Sequence, residues 1–438
     1  MPDKWQFDPE NRYVLGWYAF SRRNRRYGSL RNLKEAAEAY LGESVETSEH
    51  AGCDPCVTVV GYGRDQVEAK FANRGVEWAI QDEQKGTGHA AAIGVAKVRE
   101  CLGESANDKT RVLILNGDLP LLGRATVESL LTRHEEEGAG ATVLTCVKSD
   151  PSGYGRIVRE NRSTDGKFEA IVEQKDADDE VLAIPEVNVG IYVFDLEVFE
   201  RCYERIDCNN AQGEYYLTDV VVEASRGGEG VATLPITNET EIAQVNSRRE
   251  LAAVSQLVRE RILGDLMDRG VTIDDPATTY VEKGVTIGKD TRILPFTYIH
   301  SGVEIEPNCE VGPFARLRVG TTLREGASIG NFVEIKNSDI GPRTKARHLS
   351  YVGDASVGRD VNVGAGTIFA NYDGKKKHKT IVQERVFIGS GTILIPPLKL
   401  GKGSKTGAGA VVTRGKDVPD DGVVVGVPAK PIPTREKA

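Results

Sequence analysis

Aliphatic side chains recur at every sixth residue through most of the C-terminal half of the chain. The series is unbroken over ten positions, which are Val281, Ile287, Ile293, Ile299, Ile305, Val311, Leu317, Leu323, Ile329 and Ile335. It slips by one residue at Ile340 and again at Val357, and later resumes from Ile388 to Val424. Such a period is typical of a triangular parallel β-helix in which each coil uses three hexapeptides. We therefore predict a left-handed parallel β-helix within residues 271–438.

Two irregularities in this series carry polar side chains. His348 lies where the series slips, and a long interruption at about residues 371–381 contains Asn371-Tyr372-Asp373-Gly374 followed by a lysine-rich run. Histidine suits general-base chemistry because its pKa lies near neutral pH, although a solitary histidine is by spacing alone more often structural. A loop that protrudes from a regular repeat more often binds a ligand than supports the core. The individual lysines are equally compatible with a solvated loop.

The N-terminal half has a different pattern, in which short apolar runs alternate with amphipathic stretches. The runs predict buried strands at Val57–Gly61, Val112–Leu115, Ala141–Cys146 and Val189–Phe194, with helices such as Ala90–Cys101 and Arg124–Glu137 between them. This alternation predicts an α/β Rossmann-like domain with a largely parallel sheet. Gly117-Asp118 follows a predicted strand, where ligands of such sheets bind.

The change of pattern divides the chain into four segments. They are an atypical segment 1–50, an α/β domain 51–246, a linker helix 247–270 and the β-helix domain 271–438. The linker is predicted as a helix because apolar residues fall on one face of an otherwise charged stretch.

Composition narrows the function classes. The chain has 438 residues and a net charge of −9, which argues against general nucleic-acid binding. No apolar run is long enough for a membrane span, and no signal-peptide pattern opens the chain. Seven scattered cysteines suggest reduced thiols and a cytoplasmic protein. Cys53 and Cys56 form a lone CxxC, for which two buried thiols are a better interpretation than a zinc or redox site.

Several motifs carry a family resemblance. In the β-helix half these are Arg316-Leu317-Arg318, Gly330-Asn331-Phe332-Val333-Glu334-Ile335-Lys336, His348-Leu349-Ser350-Tyr351 and Asn371-Tyr372-Asp373-Gly374. In the α/β half they are Gln81 to His89, Asn116-Gly117-Asp118, Gly153-Tyr154-Gly155-Arg156 and Glu214 to Asp219. Together they resemble the bifunctional bacterial enzymes of UDP-N-acetylglucosamine synthesis. These enzymes join a glucosamine-1-phosphate N-acetyltransferase to an N-acetylglucosamine-1-phosphate uridylyltransferase.

The resemblance implies roles in the β-helix half. His348 would be the general base that acts on the sugar amine. Fixed cations would neutralise the sugar phosphate, and polar side chains would orient the sugar; this set comprises Arg318, Lys336, Tyr351, Asn362, Asn371 and Lys377. Acetyl-CoA would contact Ala365, Asn371, Tyr372, Ser390 and Ala408. Gly426 stands where the family has an arginine that contacts coenzyme A, which puts that contact in doubt.

It also implies roles in the α/β half. UDP-N-acetylglucosamine would be bound by Gln81, Gly86, Thr87, Gly155, Glu173, Asn188 and Asn246. Asp118 and Asn246 would hold Mg²⁺, a hard cation that prefers oxygen ligands. The expected assembly is a cytoplasmic homotrimer that acts on small-molecule substrates, with acetyl-CoA as co-substrate and with neither a nucleic-acid partner nor a membrane span.

One family element is missing from the sequence. The family opens with a strand and a glycine-rich loop whose amides cradle the nucleotide triphosphate, and residues 1–50 contain no such loop. Arg22-Arg23-Asn24-Arg25-Arg26 offers charge without the glycines that a tight anion-binding turn needs. A shifted reading frame restored near Ala51 is one hypothesis. We expect impaired uridylyl transfer and a poorly packed first domain, unless Arg12–Phe20 replaces the lost strand.

Two other functions stay open from the sequence. One is a sugar-1-phosphate nucleotidyltransferase whose β-helix serves only oligomerisation or regulation. The polar cluster of His348, Lys336 and the interrupting loop argues against it, because a structural solenoid needs no such cluster. The other is a non-catalytic scaffold, which the density of matched motifs disfavours.

Overall fold

The computed structural model describes residues 13–16, 46–47, 51–61, 64–71, 75–107, 109–163, 166–245 and 247–432. The chain divides into two compact units, Met1–Leu257 and Val258–Ala438. The division falls within a helix, Arg248–Asp268, that occupies the predicted linker position. Within the described ranges, no helix is long and apolar enough to span a bilayer.

The first unit is built on a nine-stranded mixed sheet. Its strands are β1 (Tyr13–Gly16), β2 (Cys56–Val60), β3 (Glu77–Ile80), β4 (Arg111–Ile114), β5 (Ala141–Val147), β6 (Arg156–Arg159), β7 (Phe168–Val172), β8 (Glu186–Asp195) and β9 (Val231–Ile236). The order is β3-β2-β1-β4-β8-β5-β9, and β6 pairs with β7 and β8. The predicted α/β class is therefore confirmed.

The prediction of a largely parallel sheet is correct for only part of it. Strands β3, β2, β1 and β4 are parallel to one another, and so are β5 and β9. Strand β8 runs antiparallel to both β4 and β5. Strand β8 also pairs antiparallel with β6, which is itself antiparallel to β7, so β6, β7 and β8 form the antiparallel part of the sheet.

Strand β1 fills the centre of the sheet. It lies between β2 and β4 in parallel register, with Leu15 opposite Cys56 and Tyr13 opposite Arg111. The strand lies within the segment Arg12–Phe20, and it connects β2 to β4 in the sheet. Arg22–Arg26 lie outside the described residues.

Helices cover both faces of this sheet. They are α1 (Arg64–Phe71), α2 (Thr87–Leu102), α3 (Arg124–Glu137), α4 (Asp179–Leu182), α5 (Leu196–Tyr203) and α6 (Leu217–Arg226), with 3-10 turns at Gly103–Ser105, Glu160–Arg162 and Glu239–Ile242. Two apolar clusters form the cores, one around Val95, Phe199 and Val221 and the other around Leu119 and Leu130. Cys53 and Cys56 are buried in the second cluster, as expected for two structural thiols.

The second unit is a parallel β-helix with three faces. Face 1 contains Thr272–Ile273, Arg292–Ile293, Glu310–Val311, Ser328–Asn331, Lys345–His348, Asn362–Val363, Phe387–Ile388, Lys405–Thr406 and Val423–Val425, closed by antiparallel Lys430–Ile432. Face 2 contains Tyr280–Val281, Tyr298–Ile299, Arg316–Leu317, Glu334–Lys336, Tyr351–Gly353, Ile368–Phe369, Ile393–Leu394 and Val411–Val412. Face 3 contains Thr286–Ile287, Glu304–Ile305, Thr322–Leu323, Asp339–Ile340, Ala355–Val357, Thr380–Val382 and Leu398–Leu400.

The six-residue series forms the core of this unit, as predicted. All ten residues of the unbroken series are buried, and so are the slipped positions Ile340 and Val357. Leu323 pairs with Ile340, and Ile340 pairs with Val357, so the slips shorten a coil without breaking the stack. The interruption is also present: residues 371–379 leave the coil, and Tyr372 pairs with Lys377 in an antiparallel bridge.

Candidate functional site

Three cations gather where the strands of face 2 end. Arg318 and Lys336 follow the paired residues Leu317 and Ile335, so they lie on adjacent coils. Lys377 reaches Lys336 from the interrupting loop, and this close contact, with burial and the charge of Lys377 itself, lowers the pKa of Lys336. Arg318 Nη1 donates to Glu334 Oε1 at 2.8 Å. A corner that brings two lysines together favours an anion as ligand.

Tyr351 and Asn371 meet above Gly353, the residue that pairs with Lys336. A Cβ atom added to Gly353 would lie 2.5 Å from the Tyr351 hydroxyl oxygen and 2.7 Å from Asn371 Nδ2. Glycine is therefore required for these two polar groups to approach the coil. Asn371 is buried, although it opens the protruding loop. Five of the predicted sugar-phosphate ligands therefore surround one corner: Arg318, Lys336, Tyr351, Asn371 and Lys377.

The protruding loop is held by Asp373. Its carboxylate accepts hydrogen bonds from the N–H groups of Lys375 and Lys376 at 2.9 and 2.8 Å, and from His378 Nε2 at 2.7 Å. Arg414 on a later coil donates to the same carboxylate at 3.2 Å. The Lys376 N–H has the largest effect, and together these donors hold the pKa of Asp373 well below its ordinary value. The network fixes the turn that presents Lys377.

His348 lies at the opposite end of face 2, at the corner where face 1 ends. Its side chain is exposed, and its register partner one coil earlier is Asn331. Asn331 Oδ1 lies 3.2 Å from His348 Nδ1. Because an amide oxygen can only accept, Nδ1 is the donor, so the neutral imidazole has its lone pair on Nε2. That is the tautomer that a general base requires.

The predicted acetyl-CoA residues continue the same column. Ala365, Ser390 and Ala408 each lie two residues beyond the register partners Val363, Ile388 and Thr406. Backbone bonds join the column: Gly391 N donates to the Ala365 oxygen at 2.7 Å, and Gly409 N donates to the Ser390 oxygen at 2.8 Å. Gly426 follows at the next coil. The column is a strip without bulky side chains that leads directly to His348.

Two predicted residues lie apart from these groups. Asn362 begins a face 1 strand and is partly buried there, opposite Lys345. Tyr372 is exposed, and its hydroxyl donates within the loop to the Gly374 oxygen at 2.6 Å. Tyr372 is joined to Lys377 of the cationic corner by the backbone bridge, but its side chain bonds within the loop.

In the first unit, the loop around Gly86 is clasped by the segment that precedes α6. Tyr215 N donates to the Lys85 oxygen, and Gly88 N donates to the Tyr215 oxygen, both at 2.8 Å. Thr87 Oγ1 accepts from Leu217 N at 3.0 Å. Gln81, buried at the end of β3, donates from Nε2 to the Gly86 oxygen at 3.3 Å. Three residues predicted to bind the nucleotide sugar, Gln81, Gly86 and Thr87, therefore lie together in a hydrogen-bonded group.

Gly155, Glu173 and Asn188 form a second group. Asn188 N donates to the Gly155 oxygen at 2.9 Å, and a Cβ atom on Gly155 would lie 3.5 Å from Glu173 Oε1. Thr218 Oγ1 lies 3.5 Å from the same carboxylate oxygen. Burial raises the pKa of Glu173. A largely buried carboxylate beside a backbone turn can accept hydrogen bonds from sugar hydroxyls.

Asp118 stands at the carboxyl edge of the sheet, after β4. Burial raises its pKa to about 6, and the nearby Glu250 adds to this rise. Asn246, the second predicted metal ligand, lies outside the described residues. Among the residues that are described, no three His, Cys, Asp or Glu side chains group to hold a metal by themselves. A cation at Asp118 would therefore draw most of its ligands from phosphate oxygens and water.

Comparison with known proteins agrees with both units. A nucleotidyl transferase family model matches residues 44–239, and a model of the bacterial transferase hexapeptide (six repeats) matches residues 284–318. Bifunctional protein GlmU from Carboxydothermus hydrogenoformans is 43% identical over 408 residues, covering 86% of this chain and 88% of its own. GlmU from Syntrophotalea carbinolica is 41% identical, covering 85% of each chain. GlmU from Exiguobacterium sp. is 39% identical, covering 87% and 89%.

The chain belongs to the GlmU family.

As a GlmU-family enzyme it is bifunctional, with a nucleotidyltransferase domain and a hexapeptide transferase domain on one chain. Family membership, which the motifs predicted, is thereby confirmed. The individual site residues stay predictions, supported by the geometry described above.

The structure adds contacts that the sequence did not single out in this GlmU-family chain. Asn331 sets the His348 tautomer, and Asp354 accepts hydrogen bonds from Asn337 and Asn371. Each partner lies 17 residues away, which is one shortened coil. Counting by coil length from His348 and Asn371 would have found them.

Proposed function

We propose that the protein acts in two consecutive steps of UDP-N-acetylglucosamine synthesis in the cytoplasm, catalysing the first and being impaired in the second. The first step moves an acetyl group from acetyl-CoA to glucosamine 1-phosphate. The second moves a uridylyl group from UTP to the product, N-acetylglucosamine 1-phosphate, and releases pyrophosphate. The single observation that carries the proposal is face 2, which has a histidine base at one end and a cationic corner at the other.

In the first step, His348 acts as general base. Its Nε2 accepts a proton from the sugar amine as the nitrogen attacks the thioester carbonyl. The new C–N bond forms, the C–S bond breaks, and coenzyme A leaves with the sulfur. Asn331 keeps Nδ1 protonated throughout, so Nε2 remains the basic atom.

The strand Tyr351–Gly353 separates His348 from the cationic corner. Three residues in a strand span about 7–10 Å, roughly the reach of a hexose with its phosphate. A sugar phosphate lying across this strand would direct its amine to His348 and its phosphate to Arg318, Lys336 and Lys377. Tyr351, Asn371 and Asn362 orient its hydroxyls.

The column Ala365, Ser390 and Ala408 receives the pantetheine arm of acetyl-CoA, and Asn371 and Tyr372 of the protruding loop are proposed as further acetyl-CoA ligands. Small side chains allow the arm to lie against the coils and to point its thioester at His348. Gly426, at the end of the column, offers no side chain to the nucleotide part of coenzyme A.

In the second step, the turn of Gln81, Gly86 and Thr87 reads the uridine, and Gly155, Glu173 and Asn188 hold the acetylated sugar. Asp118 fits a divalent cation, because burial and the nearby Glu250 raise the pKa of its carboxyl and a bound cation would offset the charge of the carboxylate. Asp118 and Asn246 would hold Mg²⁺, which supplies neutralisation of the phosphate charge.

Uridylyl transfer is proposed to be weak or absent in this chain. Strand β1 occupies the centre of the sheet, but no glycine-rich phosphate loop follows Gly16 in the sequence. Backbone amides that bind a triphosphate need such a turn.

Assembly into a homotrimer is supported by a row of exposed apolar side chains at the corner beside His348. Phe296, Phe314, Phe332 and Leu349 are 45–60% exposed, and the successive phenyl rings stack at 4.7 and 5.1 Å. Monomers rarely expose such a row. Light scattering of the Phe314→Asp variant tests this: we expect a smaller species than the wild-type trimer, and a monomeric wild type would contradict it.

The experiment that tests the function measures the two half-reactions separately on the purified chain. Release of coenzyme A from acetyl-CoA should depend on glucosamine 1-phosphate. Release of pyrophosphate from UTP with N-acetylglucosamine 1-phosphate should be slow or undetectable. Absence of the first activity would overturn the proposed acetyl transfer, and rapid pyrophosphate release would overturn the proposed impairment.

A further inference from the structure

One carboxylate stands inside the cationic corner of face 2. Asp354 follows Gly353, and its backbone N donates to the Lys336 oxygen at 3.0 Å. Its two carboxylate oxygens accept from different side chains. Oδ1 accepts from Asn337 Nδ2 at 2.6 Å, and Oδ2 accepts from Asn371 Nδ2. Asn337, Asp354 and Asn371 are thus stacked as amide, carboxylate and amide on three successive coils.

Backbone geometry explains only part of this choice. Asp354 has φ of +50°, and Asn337 before it has φ of +46°. Asparagine, aspartate and glycine are favoured in this left-handed region, and Gly320 occupies the same corner one coil before Asn337 with φ of +77°. Asparagine or glycine would satisfy the turn at 354 equally well. The negative charge therefore needs another explanation.

The charges around Asp354 supply one. Lys336 and Lys377 are its cationic neighbours, and the contact between the two lysines is unfavourable without an anion. Asp354 opposes the lowering of the Lys336 pKa. In return, although burial acts to raise it, the pKa of Asp354 lies below its ordinary value, because the two asparagines and the two lysines outweigh burial.

Asp354 also determines how Asn371 presents its amide. Because Nδ2 of Asn371 donates to the carboxylate, its Oδ1 points away from the carboxylate within the amide plane. Asn371 Nδ2 also lies close to Gly353, beside the Tyr351 hydroxyl, so the amide has little room to rotate. The atom that Asn371 can offer a ligand is therefore the acceptor Oδ1, which suits a sugar hydroxyl or amine.

We propose that Asp354 is a positioning residue of the acetyl-transfer site, which fixes the Asn371 amide and keeps Lys336 and Lys377 together until the sugar phosphate arrives. This inference rests on the proposed function. Asp354 does not contact the reacting atoms. It acts through the three residues that hold the sugar phosphate.

The test is Asp354→Asn, assayed for acetyl transfer and for binding of N-acetylglucosamine 1-phosphate by calorimetry between pH 7 and 10. Asparagine retains the turn but removes the charge, and its own amide can satisfy only one of the two donors. We expect the KM for glucosamine 1-phosphate to rise about tenfold with a smaller change in kcat. We also expect the alkaline loss of binding to begin at lower pH, because Lys336 loses its compensating anion. A purely structural role would not move this pH profile.

Three variants complete the design, and Lys336→Ala, which removes a proposed sugar-phosphate ligand, tests the site itself. Asp360→Asn is the matched control, since Asp360 has φ of +57° and pairs with Arg343 at another corner; it should leave KM and the pH profile unchanged. Asp354→Gly should reproduce Asp354→Asn if the charge matters rather than the amide. Combining Asp354→Asn with Lys336→Arg should remove the alkaline shift but not the rise in KM. The thermal unfolding midpoint of each variant is measured to check that the β-helix is still folded.

The outcomes separate the inference from the function beneath it. If Lys336→Ala raises KM and Asp354→Asn behaves like Asp360→Asn, the inference is wrong and the proposed site stands. If Lys336→Ala also leaves KM unchanged, both are wrong. If Asp354→Asn unfolds the β-helix but Asp354→Gly is folded with a normal KM, the carboxylate is not needed for sugar-phosphate binding and the inference is again wrong.

Discussion

The two halves of the chain carry candidate sites of opposite electrostatic character. In the β-helix, Lys336 has a lowered pKa chiefly because Lys377 contacts it. In the α/β unit, Asp118 and Glu173 have raised pKa values chiefly because they are buried. Each site therefore holds charge that a ligand would relieve, a phosphate dianion in one case and a cation or sugar hydroxyls in the other. The two sites therefore differ in how their charges are destabilised. In the β-helix, cations lie close to one another, whereas in the α/β unit carboxylates are buried.

The largest effect should follow from His348→Ala. Loss of the general base is expected to lower kcat for acetyl transfer by about 10²–10⁴-fold. Any pyrophosphate release by the α/β unit should be unchanged, because that site lies in the other half. His300→Ala is the control, since His300 pairs with Glu282 and contacts Arg316 rather than the proposed site. Unchanged acetyl transfer in His348→Ala would favour a β-helix that serves only assembly or regulation.

A smaller effect is expected from Lys377→Ala. Removing a charged hydrogen-bond donor to phosphate should raise the KM for glucosamine 1-phosphate by about 10–100-fold. The kcat should fall less, because the base and the thioester are untouched. Lys375→Ala, in the same loop, keeps the backbone N–H that donates to Asp373 and should behave as wild type. Equal effects of the two substitutions would mean that the loop acts through its overall charge.

Sequence patterns predicted the β-helix well because one buried aliphatic side chain per hexapeptide leaves a strict period. The α/β unit was less predictable. The four residues of β1 have no periodicity of their own, and the direction of β8 depends on its pairing with β6 rather than on its composition. Asn331 and Asp354 were missed although the 17-residue coil spacing encodes them. The approach of the Tyr351 hydroxyl to Gly353 depends on a side-chain rotamer, which no spacing reveals.

The lysine contact gives a pH prediction with a defined sign. Since the pKa of Lys336 is lowered, its proton is lost at a lower pH than that of an ordinary lysine. Phosphate binding should be complete below that pKa and weaken as pH rises through it. Lys336→Arg stays charged, so its affinity for N-acetylglucosamine 1-phosphate should vary only a few-fold between pH 7 and 10. Calorimetry of wild type, Lys336→Arg and Lys375→Arg tests this, and parallel profiles for all three would contradict it.

The smallest effect concerns the independence of the two halves. Gly86 has φ of +115°, and an added Cβ would collide with the backbone of Tyr215, so Gly86→Ala should destabilise the α/β unit by about 1–3 kcal/mol. Gly138, which ends α3 with φ of +56° and has open space around it, is the matched control. Gly138→Ala adds backbone strain without a collision and should cost less, about 1 kcal/mol. Denaturant unfolding should show both losses in one transition, while the KM and kcat of acetyl transfer stay constant. A fall in acetyl transfer with Gly86→Ala would show that the β-helix site depends on the fold of the other unit, and the comparison between two separate sites would then have to be abandoned.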